Sequence, residues 1–207
     1  MNPPTSTLPR VVVLASGTGS ILQALLDAHT DPTYGARVVG VISDRPEAQA
    51  LERARTAGVP TAVVRLSDFD TRQDWDRAVT AAVRVFAPDV VVLAGFMKIL
   101  GGSFVQAFES RILNTHPSLL PAFPGAHAVA DALAHGAKVT GCTVHLVDEG
   151  LDTGPIVAQE AVVIQDGVSV DEVHEQIKQV ERRLVVDVVR QVAAGGLTVE
   201  GRICRLH

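Results

Sequence analysis

Asn114 and His116, an amide and an imidazole two residues apart, head the run Asn114-Thr115-His116-Pro117-Ser118-Leu119-Leu120-Pro121. Leaving a strand end, both side chains would share a face, because strand residues alternate. An amide N–H beside a protonatable ring can stabilise an oxyanion and handle a proton. A second candidate is the acidic loop Asp148-Glu149-Gly150-Leu151-Asp152-Thr153-Gly154-Pro155. Such loops are usually solvated turns. If the fold brings Asp152 beside His116, however, its carboxylate would favour the imidazolium form. A third is the turn Ser16-Gly17-Thr18-Gly19-Ser20, whose small residues let backbone approach a phosphate at a helix N-terminus. Each has an ordinary structural reading when taken alone: packing or capping for the Asn-His pair, and a ligand-free βα turn for the glycines.

The elements around these residues predict how they are held. Val11-Val12-Val13-Leu14 lacks polar alternation, as suits a strand buried on both faces. It ends at the glycine turn, and Ile21-Leu22 with Leu25-Leu26 begin a helical pattern. Residues 38–42 read as a second strand and 47–57 as a second helix stopped by Gly58. Residues 62–64 read as a short third strand. Trp75, Ala78, Val79, Ala82, Val83 and Phe86 recur at helical spacing before Pro88, and residues 90–94 form the next buried strand. This alternation predicts an α/β, Rossmann-like, mainly parallel twisted sheet flanked by helices, with ligands at the carboxyl ends of its strands. Pro117, Pro121, Pro124 and Gly125 exclude regular helix or central strand after Asn114. Residues 142–147 and 156–163 look like a strand pair joined by the acidic loop. Ser169 and Glu172 form a capping box, with Val168 and Val173 placed for a hydrophobic staple, at the start of a helix running to about residue 193.

Composition narrows the function. With 207 residues, 47% hydrophobic and only 4% aromatic, the chain is expected to be a single domain with an aliphatic core. Residues 1–9 are expected to be flexible. A net charge of -5 argues against a general nucleic-acid binder, which needs a basic face. Cys142 and Cys204 read as free thiols of a reducing compartment. With no signal pattern and no apolar run of spanning length, the expectation is a cytoplasmic protein with no membrane partner. His127, His135 and His145 with Cys142 fit no usual zinc spacing, so no metal is expected.

Taken together, four segments resemble the phosphoribosylglycinamide formyltransferase family: residues 14–20, residues 94–100, Asn114 through Pro121 with Phe123-Pro124-Gly125, and Leu151-Asp152-Thr153-Gly154-Pro155. They keep the family's order and spacing, and the resemblance covers about residues 10 to 193. It implies a formyltransferase fold with an antiparallel strand pair in the C-terminal half. It also implies formyl transfer from 10-formyltetrahydrofolate to the amine of 5-phosphoribosylglycinamide in purine synthesis, by a monomer or homodimer. Asn114, His116 and Asp152 would be catalytic. Gly17, Thr18, Gly19, Ser20, Ile21, Lys178 and Glu181 would meet the ribonucleotide. Arg72, Met97, Lys98, Ile99, Leu100, Val147, Asp148, Glu149 and Gly150 would line the folate pocket with Asn114 and Asp152. One departure is Ile21, where the family usually has Asn, so a side-chain donor near the phosphate is lost.

Rival readings remain at this level. A methionyl-tRNA formyltransferase or a formyltetrahydrofolate hydrolase would share the core, but each carries an additional domain for which this chain is expected to have no room. A nicotinamide oxidoreductase is favoured by Gly17, Gly19 and Asp44 and opposed by Leu22, where a third glycine is wanted. A non-catalytic nucleotide-binding module would leave the Asn114 to Pro121 motif unexplained. Lys178 and Glu181, three apart, would otherwise be an ordinary surface ion pair.

Overall fold

The computed structural model describes residues 8–207, so the expectation of a flexible N-terminus falls, apart from Leu8 and Pro9, outside the described residues. A parallel core is formed by β1 (Arg10–Leu14), β2 (Arg37–Ser43), β3 (Thr61–Val63), β4 (Val90–Leu93) and β5 (Ile112–His116). β6 (Val139–Leu146) and β7 (Ile156–Val163) continue the sheet antiparallel, as expected. A hairpin of β8 (Leu197–Glu200) and β9 (Ile203–Leu206) completes the order β3-β2-β1-β4-β5-β6-β7-β9-β8. The helices are α1 (Ser20–Ala28), α2 (Gln49–Thr56), α3 (Arg72–Arg84), α4 (Gly102–Ala107), α5 (Ala128–Ala134) and α6 (Val170–Gly195).

Strand alternation divides the core into two layers. Val11 and Val13 face α1, α2 and α6, while Val12 and Leu14 face α3 and α4. β5 divides likewise, with Leu113 on the first side and Ile112 on the second. Both layers must be apolar, which is why β1 and β4 have almost no polar residues. Leu22 and Leu25 are completely buried, each contributing about 1.5–3 kcal/mol over an exposed side chain. On the second side fully buried Trp75 satisfies its indole N–H by donating to the Val64 carbonyl at 2.8 Å.

The capping box at α6 is present in both directions: Glu172 N–H donates to Ser169 Oγ at 3.3 Å, and Ser169 N–H donates to Glu172 Oε2 at 2.8 Å. Val168 packs into the same cluster as Val173, as a staple requires. Among the described residues, no helix is long and apolar enough to cross a membrane.

Candidate active site

The chain leaves β1 towards β2 on one side and later returns to place β4 on the other. The carboxyl ends of β1 and β4 therefore open a crevice at the point where the strand order reverses. Ser16, just beyond β1, holds its mouth together. Its hydroxyl donates to Asp44 Oδ1 at 2.5 Å, beyond β2, and accepts from Met97 N–H at 2.8 Å, beyond β4. Asp44 is thus a buried internal acceptor, which removes the support it gave to a nicotinamide reading.

A cavity of about 250 Å³ lies in this crevice. One wall is the turn from Gly17 to Ile21, and the opposite wall is a stripe of α6 formed by His174, Lys178 and Glu181. Gly19 has φ 71° and caps α1 without a side-chain hydrogen bond, and no acidic residue follows in the first turn. The first N–H groups of α1 and the positive end of its dipole are left available to an anion. A Cβ on Gly19 would lie 2.8 Å from Ala50 of α2, so only glycine permits this approach. Ile21 is 7% exposed, its side chain part of the core as well as of the cavity wall.

Lys178 and Glu181 do not form a surface ion pair. Lys178 donates to Glu175 Oε1 at 2.6 Å, while Glu181 is only 6% exposed. Burial pushes the Glu181 carboxyl up to about 7, against the pull of the Thr115 hydroxyl, Lys178 and Arg182.

On the other face of β5 is a cluster of four polar side chains. Register places Asn114 directly opposite His145 of β6 and His116 opposite Thr143. His145 Nδ1 lies 2.8 Å from the Leu146 carbonyl, which can only accept, so this nitrogen carries the proton. Its Nε2 then accepts from Asn114 Nδ2 at 3.1 Å. Burial lowers the His145 pKa, consistent with this neutral tautomer. An amide NH₂ has two hydrogens, and the second on Asn114 remains available to a further acceptor. His116 Nε2 donates to the Phe123 carbonyl at 2.8 Å, and its Nδ1 lies 3.4 Å from Asp152 Oδ2. Asp152 has φ 55°, a strained conformation for a non-glycine residue. Its Oδ2 accepts the Gly125 N–H at 2.8 Å, and Oδ1 is 3.8 Å from His145 Nε2. The proline-rich loop thus anchors both members of the His116–Asp152 pair, through Phe123 and Gly125.

The residues expected to line a folate pocket fall into several groups. Arg72 donates to the Ile99 carbonyl, lies 3.7 Å from Asp76 and stacks over Trp75. Met97 and Ile99 are 66% and 71% exposed, Lys98 is half-buried, and Leu100 is in the core. Val147 packs beside that core. Asp148 closes the loop by accepting Gly150 N–H at 3.0 Å and Thr153 Oγ1–H at 2.7 Å. Glu149 approaches α4, where a Cβ on Gly102 would stand 3.3 Å from its carboxylate. A Cβ on Gly154 would collide with the Leu146 carbonyl, so glycine is needed where the loop re-enters the sheet.

Sequence reasoning missed two residues. His145 was grouped with scattered histidines, yet it is the partner of Asn114; His127 and His135 sit instead at the two ends of α5. Its signal is register, which no local spacing reveals. His174 was not singled out, although its place one turn before Lys178 puts it on the same helical stripe.

Comparison with known proteins follows the same lines. A family model described as formyl transferase matches residues 9–189. A phosphoribosylglycinamide formyltransferase of Mycobacterium tuberculosis (strain H37Rv) is 57% identical over 199 residues, 96% of this chain and 92% of that protein. One of Escherichia coli (strain K12) is 42% identical over 187 residues, 90% of this chain and 88% of that protein. The crystal structure of glycinamide ribonucleotide transformylase 1 from Symbiobacterium toebii superposes with TM-score 0.95 at 42% identity, covering 100% of this chain and 98% of that one.

Proposed function

Because the chain belongs to the formyl transferase family, we propose that it moves the formyl group of 10-formyltetrahydrofolate to the amine of 5-phosphoribosylglycinamide. The products are N-formylglycinamide ribonucleotide and tetrahydrofolate, in a cytoplasmic step of purine synthesis. The observation that carries this reading is the cluster of Asn114, His116, His145 and Asp152 at the end of β5, beside the anion-ready cavity.

In the proposed reaction the amine nitrogen attacks the formyl carbon, the carbonyl electrons move onto oxygen, and collapse breaks the bond to the folate nitrogen. One proton must pass from the attacking nitrogen to the departing one. The uncommitted N–H of Asn114 donates to the developing oxyanion, its orientation set by His145. His116 donates its Nε2–H to the Phe123 carbonyl and turns Nδ1 to Asp152, so the ring is held between the two loops beside the reacting atoms. Asp152 orients His116 and relays the proton from the attacking amine to the departing folate nitrogen. The phosphate is received by the N–H groups of residues 19–21 and by Lys178, with Glu181 addressing the rest of the ribonucleotide. For the folate, exposed Met97 and Ile99 offer apolar contact, and Arg72 and the loop through Val147 to Gly150 offer polar edges. That donor set suits a flat heteroaromatic ring with a hydrogen-bonding rim.

The test is a spectroscopic assay of folate release from 10-formyltetrahydrofolate, with and without 5-phosphoribosylglycinamide, for the wild type and Asp152→Asn. Release that requires the ribonucleotide and falls about 100- to 1000-fold in the variant supports the reading. Release without any acceptor indicates a hydrolase instead, and no release overturns the assignment.

A further inference from the structure

Along the cavity wall on α6, His174, Lys178 and Glu181 follow at spacings of four and three, one stripe facing the glycine turn. His174 is half-buried, and among the described residues its ring is influenced by burial and by charges on its own helix, with no hydrogen bond to either nitrogen. A half-buried imidazole on a cavity wall, with neither nitrogen bonded to the protein, has both free for a ligand. Across the cavity the turn offers hydroxyls and backbone N–H groups, but among the described residues no side-chain cation lines that wall, the Arg53 guanidinium being bonded to the Thr18 carbonyl and Gln23. A phosphate monoester carries a charge of roughly -1.5 to -2 near neutrality, more than one helix terminus balances.

We propose that His174 is a phosphate-binding residue of this cavity, closing with Lys178 on the ribonucleotide's phosphate against the first turn of α1. This rests on the reaction proposed above. Burial, and then Lys178, disfavour the His174 cation, against the pull of Glu175 and Asp171. The wall made by α1 and the strand ends carries no charged side chain, and Glu181 is the remaining ionisable group facing the space. A bound phosphate dianion reverses the balance at the ring, which takes up a proton and becomes a charge-assisted donor. Lys178 turns from Glu175 to share the same anion.

His174→Gln keeps a polar side chain and removes the titration. It should raise the KM for 5-phosphoribosylglycinamide about 10- to 100-fold, the worth of a hydrogen bond to a charged group. The kcat at saturation and the KM for 10-formyltetrahydrofolate should stay within about twofold of wild type on this basis. Ring NMR of the wild type, with His174 assigned by its absence from the variant, should show its titration moving to higher pH when ribose 5-phosphate is added. An unchanged ribonucleotide KM, or a titration that ribose 5-phosphate leaves in place, overturns the proposal while formyl transfer by the wild type stands. Absence of ribonucleotide-dependent transfer in the wild type removes the functional reading itself, and this inference with it.

Discussion

Replacing Glu181 by Gln should make the protein more stable and its ribonucleotide binding weaker, with the stability gap widening as pH rises. Glu181 is 6% exposed and its carboxyl is pushed up to about 7 from an ordinary 4.5, chiefly by burial. Between those values the unfolded chain has released the proton that the native protein retains, so the native state binds more protons and stability falls with pH. The stabilising protonated form is fully present below about pH 4.5, and its advantage is gone above about pH 7. The whole interval is worth about 3 kcal/mol, most of which falls between pH 5 and pH 8. Glutamine does not titrate, so the stability of Glu181→Gln minus that of wild type should grow by that amount between the two pH values. Equilibrium urea unfolding reads it as a midpoint difference widening by about 1 M. At pH 8 the ribonucleotide KM should rise about tenfold, since a charged acceptor has been removed, and at pH 5, where native Glu181 holds its proton, the rise should be smaller. A stability gap that stays constant with pH would refute the reasoning, because it would mean that native Glu181 is already ionised at pH 5.

Two further substitutions probe other parts of the site. Asn114→Ala should lower kcat about 100- to 1000-fold by removing an oxyanion donor. Leaving buried His145 Nε2 without its partner should also cost about 1–3 kcal/mol, measurable by denaturation. Gly19→Ala forces an L side chain to φ 71° and sets its Cβ 2.8 Å from Ala50. It should cost at least about 1–2 kcal/mol and raise the ribonucleotide KM more than the folate KM in steady-state kinetics, because it displaces the first turn of α1.

How much of this was legible beforehand depends on how local each signal is. The buried strands β1 and β4 announce themselves because a strand covered on both faces must be apolar throughout. The start of α6 is written in four residues, Ser169 to Glu172, since a capping box satisfies backbone groups within one turn. The hairpin β8–β9 went unread although its alternation around Gly201, at φ 61°, is local. Asn114, His116 and Asp152 stood out as chemistry and through the family resemblance, but what holds them did not. His145 meets Asn114 only through the antiparallel register of β5 and β6, and Asp44 meets Ser16 only once two parallel strands lie side by side. Asp152's left-handed backbone and its bond to Gly125 join loops that spacing alone cannot bring together. Lys178 and Glu181 lie correctly on one helical face, yet their separate fates depend on what covers that face.

The end of β5 sends Asn114 and His116 to one side of the sheet and Thr115 to the other, where Thr115 lines the cavity with Glu181. Three consecutive residues therefore serve two compartments. Point substitutions at 115 change the cavity lining without touching the cluster of Asn114 and His116, and those at 114 or 116 do the converse. A change of length cannot. Deleting one residue ahead of Asn114 in this strand would exchange the occupants of the two sides, presenting a hydroxyl to His145 and Asp152 and an amide and imidazole to the cavity. The strand can diversify letter by letter but is closed to insertion and deletion.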